Sequence, residues 1–393
     1  MVRALRDHGP STQADLSRGT GLSAATVSNL VRLLLSEGVV ETETTTSSGR
    51  RAVLVSLSRR AGDRFAVGID IGRRHLRVLA CTPARQILGE RVRPLPVGHL
   101  AEDTIACAST MLDELLVEAD LDRADIIGCG VGIPGPIDER TGQIAHGVIL
   151  PEWVGLPLED HLTTQLGLPV HVENDANLGA IAEIWWGEHG VSDLEERSGG
   201  ENLVFVKIGS GIGAGLVMGG RLHRGHIGIT GELGHVGVTE YGPVCRCGSR
   251  GCLETVASVS TMLDLMRPGD AGPEPTIDDL IRLAHAGDPA TLRIVEDAGL
   301  AIGRVLGGVA NLLGPRMIVL GGPVIPLGDL LVDSVKRGLA RWSSPVVAGA
   351  TDIVMSSLDG RAEALGACAQ VLHEASDESW TPRRATRVPV AHR

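Results

Sequence analysis

Two glycine-punctuated stretches of this chain repeat one another, FAVGIDIGRRHLRVLACTPARQIL from Phe65 and LVFVKIGSGIGAGLVMGGRL from Leu203. Each reads as strand, glycine-containing turn, strand, turn, strand. Such a duplication points to two α/β lobes of like topology with a cleft between them. Asp279–Ala286, Ala290–Leu312 and Arg361–His373 read as helices, the last expected to lie back on the first lobe. Aromatic residues make up only 2% of the chain, so the core must come from Leu, Val, Ile and Ala. The 52 glycines favour tight turns and close backbone approach over helix bundles. No apolar run reaches the ~20 residues of a membrane span; Met317–Val332 is broken by prolines, glycines and Asp329. The opening MVRALRDHGP has no apolar signal region. A soluble, cytoplasmic protein with no membrane partner is therefore expected.

A small basic head precedes this acidic body. Residues 1–62 hold 8 arginines against 5 acidic residues, a balance of +3, and the rest of the chain carries −15, for −12 overall. Blanket nucleic-acid affinity is disfavoured by that total, so DNA contacts should belong to the head. Ser11–Arg18 reads as a short helix with Ser11 as its cap and Ala14 and Leu16 facing inward. Gly21 supplies a turn, and Ser23 caps a second helix in which Val27, Leu30, Val31 and Leu34 form one apolar stripe. The other face offers Ser23, Ala24, Thr26, Ser28, Asn29 and Arg32, small or hydrogen-bonding residues suited to base edges in a major groove. Gly38 should end that helix. Two strands, Val39–Glu43 and Ala52–Leu57, then flank a polar tip, TTTSSGRR, whose Arg50 and Arg51 suit phosphates or a minor groove. Two polar-faced helices would also suit a module for protein contacts. The order helix, glycine turn, helix, wing with arginines at its tip favours DNA.

The strongest local signal for a metal is His235 followed by Cys245, Cys247 and Cys252, with spacing His-x9-Cys-x-Cys-x4-Cys. Three thiolates and an imidazole suit tetrahedral zinc, and four protein ligands leave no open position for hydrolysis. Gly248 and Gly251 permit the chain reversal between Cys247 and Cys252. A reducing cytosol disfavours a disulfide. Cys81, Cys107, Cys129 and Cys368 adjoin apolar residues and read as small hydrophobes. Trp185 and Trp186 read as core or inter-lobe packing.

With the winged head joined to this body, the chain resembles the ROK family (repressors, open reading frames and kinases), specifically its transcriptional-repressor branch. The resemblance runs from about residue 10 to 374 and rests on GVGIPGPID (Gly130–Asp138), VENDAN (Val172–Asn177), GELGH (Gly231–His235) and CLE (Cys252–Glu254). It implies a fold similar to actin and hexokinase, which agrees with the duplication. It also implies sugar contacts from Gly132, Asn174, Asp175, Glu232, His235 and Glu254. Family kinases carry Asp-x-Gly-Gly-Thr in the first turn to hold ATP phosphates. Here the turn is DIGRRH (Asp70–His75), with Arg73 and Arg74 in place of the Gly-Thr pair. The second glycine loop, Ile208–Gly215, and the IVLGG strand (Ile318–Gly322) survive, but such features also serve as plain turns.

These readings lead to an α/β protein: a winged helix-turn-helix at 1–62, a first lobe at 63–173 plus about 360–376, and a second lobe with the zinc site at 174–359. The tail 377–393, with Arg383, Arg384, Arg387 and Arg393, is expected to be disordered. The expected function is a sugar-responsive repressor of carbohydrate genes, not an enzyme, with one structural zinc per chain and no ATP. Its partners would be operator DNA, a xylose- or glucose-type sugar or sugar phosphate, and its own copies in a homodimer or homotetramer. The competing reading is a sugar kinase with a DNA-binding head, in which Asp175 would be the base.

Overall fold

The computed structural model describes residues 1–2, 4–5, 9–36, 39–47, 50–57, 64–138, 141–144, 150–187, 202–267 and 274–375. The expected helix end at Gly38 and the tail beyond Ser376 lie outside them.

In the head, β1 (Ser11–Thr12) precedes α1 (Gln13–Thr20), α2 (Ala24–Ser36), β2 (Val40–Ser47) and β3 (Arg50–Leu57), and the strands form one sheet in the order β1-β3-β2. The first helix starts later than its sequence suggests. Thr12, not Ser11, is its cap, in a reciprocal capping box with Asp15, while Ser11 pairs with Val55. Leu16 is buried but Ala14 is exposed. Two residues of helix turn a side chain by about 200°, so the two cannot share one face. The second helix follows expectation, with Ser23 Oγ accepting from Thr26 N–H at 3.1 Å. Val27 and Val31 are buried and Leu30 and Leu34 half-buried. Leu5, Leu16, Val27, Val31, Val40 and Val55 form a small separate core. Thr44–Ser47, expected in the wing tip, instead extend β2, because β-branched threonines suit a pleated strand.

The body contains the duplication. In the first lobe, β4 (Phe65–Ile71), β5 (His75–Cys81) and β6 (Ile87–Pro94) run antiparallel and are followed by α3 (Ala101–Glu118) and β7 (Ile126–Ile133). A small hairpin, β8 (Ile137–Asp138) and β9 (Gln143–Ile144), and α4 (Leu158–Leu166) lead to β10 (Val170–Asn174). The sheet order is β10-β7-β4-β5-β6, with β4, β7 and β10 parallel. Helix α5 (Asp175–Trp186) continues directly from β10, whose pairing with β7 runs through Asn174, so Asn174 and α5 are grouped with the first lobe rather than opening the second as the sequence suggested.

In the second lobe, β11 (Leu203–Ile208), β12 (Ile212–Met218) and β13 (Arg221–Leu222) are antiparallel. After α6 (Glu254–Ala257), α7 (Val259–Leu265), α8 (Ile277–His285) and α9 (Pro289–Leu313) comes β14 (Met317–Gly321). Helices α10 (Asp329–Trp342) and α11 (Pro345–Ala350) precede β15 (Asp352–Met355), and the sheet order is β13-β12-β11-β14-β15. Both sheets thus comprise three antiparallel strands and two parallel ones in matching order. Helix α12 (Ala362–Ala375) returns to the first lobe.

Helices α5 and α12 form a buried layer between the sheets. Their residues share one core with Ala66 and Leu79 of the first sheet and Phe205 and Val319 of the second. Residues 175–183 of α5 are buried without interruption, as a helix enclosed on all sides requires. Glycines let the backbones meet: a Cβ at Gly68 would run into the Ala364 carbonyl, and one at Gly130 into the Ala367 carbonyl, both of α12. Among the described residues, no helix is long and apolar enough to cross a membrane. Cys81, Cys129 and Cys368 are buried, as expected, and Cys107 is partly so. Trp185 and Trp186 are half-buried, with Trp185 edge-on to His373 of α12.

Burial raises the pKa of Glu183 in this layer. Glu183 is 2% exposed and accepts a hydrogen bond from the Ser356 hydroxyl. Desolvation pushes its pKa up to about 7, partly offset by Ser356 and reinforced by Glu363. Between about pH 4.5 and 7 the folded chain therefore holds a proton that the unfolded chain has lost, and stability falls as pH rises through that window. Glu183→Gln keeps the Ser356 bond without the charge. It should raise Tm more at pH 8 than at pH 5, corresponding to about 3 kcal/mol at the higher pH. Equal Tm gains at the two pH values would contradict the shift.

Candidate functional site

The head presents a polar helix face. Ser23, Ala24, Thr26, Asn29 and Arg32 of the α2 segment are exposed and Ser28 is half-buried, opposite the Val27–Val31 stripe. Arg50 and Arg51 open β3, in register with Ser47 and Thr46 of β2; their side chains lie outside the described residues.

In the second lobe, the chain after β13 folds into a compact knuckle. Isolated bridges join Gly237 to Cys252 and Val244 to Arg250, and Cys245 N–H donates to the Ser249 carbonyl at 2.8 Å. Gly248 and Gly251 both take positive φ, +88° and +64°, and a Cβ at Gly251 would strike the Thr239 carbonyl. The result gathers His235, Cys245, Cys247 and Cys252 with their ligand atoms all within 4.8 Å of one another. Cys247 Sγ lies 3.7 Å from Cys252 Sγ, and Cys245 Sγ 3.6 Å from His235 Nδ1. With metal–sulfur bonds of about 2.3 Å and metal–nitrogen bonds of about 2.0–2.1 Å, a tetrahedral ion separates sulfur from sulfur by roughly 3.8 Å and sulfur from nitrogen by roughly 3.6 Å. Both measured edges fit, so the cluster could hold one metal ion.

The same imidazole touches two carboxylates. His235 Nε2 lies 3.6 Å from Glu232 Oε2, and Nδ1 lies 3.7 Å from Glu254 Oε1. Glu254 Oε1 is also 3.0 Å from Cys245 Sγ. Thus Glu232, His235 and Glu254 converge. The loop that carries the first two is seated on β12, where Ala214 N–H donates to the Gly231 carbonyl at 2.8 Å.

Across β12, the first lobe contributes Gly132, Asn174 and Asp175. Asn174 caps α5: its Oδ1 accepts from the N–H groups of Ala176 and Asn177 at 2.9 and 3.2 Å. Its Nδ2 donates to the Gly135 carbonyl at 3.0 Å, which ties the Pro134–Pro136 loop to the helix. Asp175 is 7% exposed. Helix α5 reaches β12 closely because a Cβ at Gly215 would strike the Ala176 carbonyl. The two predicted carboxylate sets therefore flank one strand.

Sequence reading missed the cation at the centre. Lys207 Nζ lies 2.9 Å from Asp175 Oδ2, 3.1 Å from Glu363 Oε1 and 4.0 Å from Asp70 Oδ1. Burial alone would push this ammonium down, but Asp175, Glu363 and Asp70 outweigh it and hold its pKa well above the usual lysine value. A lone lysine inside the apolar run LVFVKI was the available signal. Likewise burial would raise Asp70, yet Lys207 and His75 hold it well below the usual carboxylate range. His75 Nε2 bonds Asp70 Oδ2 at 2.7 Å, and Asp70 chiefly raises the imidazole's pKa.

The DIGRRH turn is closed on itself. Gly72 N–H donates to the His75 carbonyl at 2.9 Å, and a Cβ at Gly72 would run into the His75 ring. Arg73 is half-buried and Arg74 exposed. Burial, then the charges of Arg246 and Arg74, lower the pKa of Arg73. The second glycine loop is braced from α7: Val259 N–H donates to the Gly209 carbonyl at 2.9 Å and Ser260 Oγ to the Ser210 carbonyl at 3.2 Å.

Comparisons with known proteins cover the whole arrangement. The ROK family profile matches residues 66–374, and the MarR family profile matches residues 1–51. A xylose repressor of Caldicellulosiruptor bescii is 28% identical over 393 residues, covering 95% of this chain and 94% of that protein. A glucokinase of Halalkalibacterium halodurans is 33% identical over 321 residues, covering 77% of this chain and 94% of that enzyme. A solved ROK family transcriptional regulator, described as a homolog of the E. coli MLC protein, aligns with TM-score 0.65 at 25% identity over 95% of each chain.

Proposed function

The chain belongs to the ROK family, and from that membership we propose that it is a sugar-responsive transcriptional repressor whose kinase-like body binds its effector without phosphorylating it. One observation carries this reading: the similarity to the xylose repressor spans head and body together, 95% of the chain, whereas the glucokinase similarity covers 77%. The winged head supplies operator binding, through the exposed face of α2 from Ser23 to Arg32 and through Arg50 and Arg51. Gly132, Asn174, Asp175, Glu232, His235 and Glu254 form the sugar pocket. Carboxylates and an imidazole of this kind suit a polyol, because each accepts or donates to hydroxyls.

Zinc is the ion best matched to His235, Cys245, Cys247 and Cys252, one per chain. Bound there through Nδ1, it would leave Nε2 of His235 protonated and oriented for Glu232 and a sugar hydroxyl. Phosphoryl transfer is disfavoured by the first turn. Its Gly72 N–H is bonded to His75 rather than free for a phosphate, and the His75 ring fills the space beside it. The glucokinase relative and the retained second glycine loop favour the alternative of a kinase. Two heads in a homodimer or homotetramer would read paired half-sites.

The test is operator binding on a fragment selected by the protein from random-sequence DNA, titrated with D-xylose, D-glucose and their phosphates. A sugar that changes operator affinity is expected, with no sugar-dependent consumption of ATP. Turnover that disappears in Asp175→Asn would replace the repressor reading with the kinase one. In the same assay, Arg50→Ala with Arg51→Ala should weaken binding to all sequences and reduce the salt slope by roughly 2, since each phosphate contact contributes about 0.9. An unchanged slope would remove the wing from the DNA interface.

A further inference from the structure

We propose that Lys207 is the positioning residue of the effector pocket: its ammonium, reaching from the second lobe, fixes the Asp175 carboxylate at the head of α5 and seats the two lobes on one another. This rests on the reading of Asp175 as a sugar-contacting group.

The path of the side chain is built into the sheet. Lys207 lies on β11 opposite Gly213 of β12 and Gly321 of β14. Neither neighbour has a side chain to block the stem, which therefore rises toward the α5–α12 layer, beside Phe205 two residues earlier. There it meets groups from three first-lobe elements: Asp70 on β4, Asp175 at the start of α5 and Glu363 in the first turn of α12. The lysine side chain is only 14% exposed. Neither Asp70 Oδ1 nor Glu363 Oε1 accepts a hydrogen bond; the ammonium, at 4.0 and 3.1 Å, is the charge set against these two oxygens, while His75 bonds the other oxygen of Asp70. Removing one partner from such a buried cluster leaves the others uncompensated.

Asp175 is thereby held at both oxygens. Oδ2 takes the ammonium at 2.9 Å and Oδ1 accepts from Ala176 N–H at 2.8 Å. Each carboxylate oxygen has two acceptor positions, so one on each remains for a ligand hydroxyl. The plane of the carboxylate is set by a residue of the opposite lobe, and any change in lobe closure moves the acceptor. Lys207 acts through Asp175 and needs no contact with sugar.

Isothermal titration of the full chain with D-xylose and D-glucose tests this through a double-mutant cycle. Lys207→Met should lower affinity for the bound sugar at least tenfold, and Lys207→Arg, which keeps the charge, should recover most of it. In an Asp175→Asn background the same Lys207→Met change should cost less than threefold. Should Lys207→Met fail to fold, Lys207→Met with Glu363→Gln removes a negative charge together with the positive one and carries the same expectation. Parent-like affinity in Lys207→Met, or a loss undiminished in the Asp175→Asn background, would overturn the proposal. Asp175→Asn binding as tightly as the parent would instead remove Asp175 from the pocket, and a parent that binds neither sugar would overturn the proposed effector class.

Discussion

Cys247→Ser should give a protein that binds no metal and no longer responds to sugar, yet still binds operator DNA. Cys247 is the suitable position because it is exposed, whereas Cys245 and Cys252 are buried and their replacement would also disturb packing. Serine is a poor ligand for a thiophilic ion, and the remaining three groups no longer close a tetrahedron. With a metal held there, the imidazole of His235 would lose the bond that fixes its ring. Glu232 Oε2 at 3.6 Å and Glu254 Oε1 at 3.7 Å lie against that ring. Changes to groups that orient a metal ligand commonly cost 10–100-fold, and sugar affinity should fall by at least tenfold here. The head has its own core around Leu16, Val27 and Val55, so its DNA contacts should survive while the body remains assembled. Metal analysis, sugar titration and operator binding on one preparation decide the matter. Full sugar affinity in metal-free protein would make the knuckle a distant structural brace.

Features written in local sequence were legible, and features made by long-range contact were not. The duplication was readable because a strand and its glycine turn are set by neighbouring residues, and both sheets show the matching order. The metal cluster was readable from ligand type and spacing alone, and its four side chains do converge. Boundaries were harder. Ser11 and Thr12 are both good caps, and β1 pairing with Val55 makes Thr12 the one used. The threonines of the wing tip read as loop by their polarity, but pairing with β3 makes them strand. Lys207 illustrates the deeper limit. Its partners come from β4, α5 and α12, and only the folded chain shows that they meet. His75 is similar: the departure at Arg73 and Arg74 was visible, but not that the next side chain closes over Gly72 and binds Asp70.

That dependence on close approach makes Gly130→Val the most damaging single substitution expected in the body. Gly130 sits in the middle of β7, opposite Gly68 of β4 and His171 of β10. A Cβ there would run into the Ala367 carbonyl of α12, which is backbone and cannot rotate aside as a side chain could. The helix would have to lift from the sheet, separating Cys368 and Leu365 from the shared core and drawing Glu363 away from Lys207. Ordinary overpacking costs about 1–3 kcal/mol; a clash against fixed backbone should exceed it, at about 4 kcal/mol or more, a large share of a typical 5–15 kcal/mol stability. Tm should fall by roughly 10 °C, or the body should be lost to the insoluble fraction. Gly308→Ala is the matched control. Gly308 lies within α9, and a Cβ there meets no other atom within 4 Å. Alanine at that position should stabilise the helix by up to about 1 kcal/mol. If Gly130→Val melts like the parent, α12 does not rest on the sheet through its glycines, and the inter-lobe layer that places Asp175 and Glu363 is built differently.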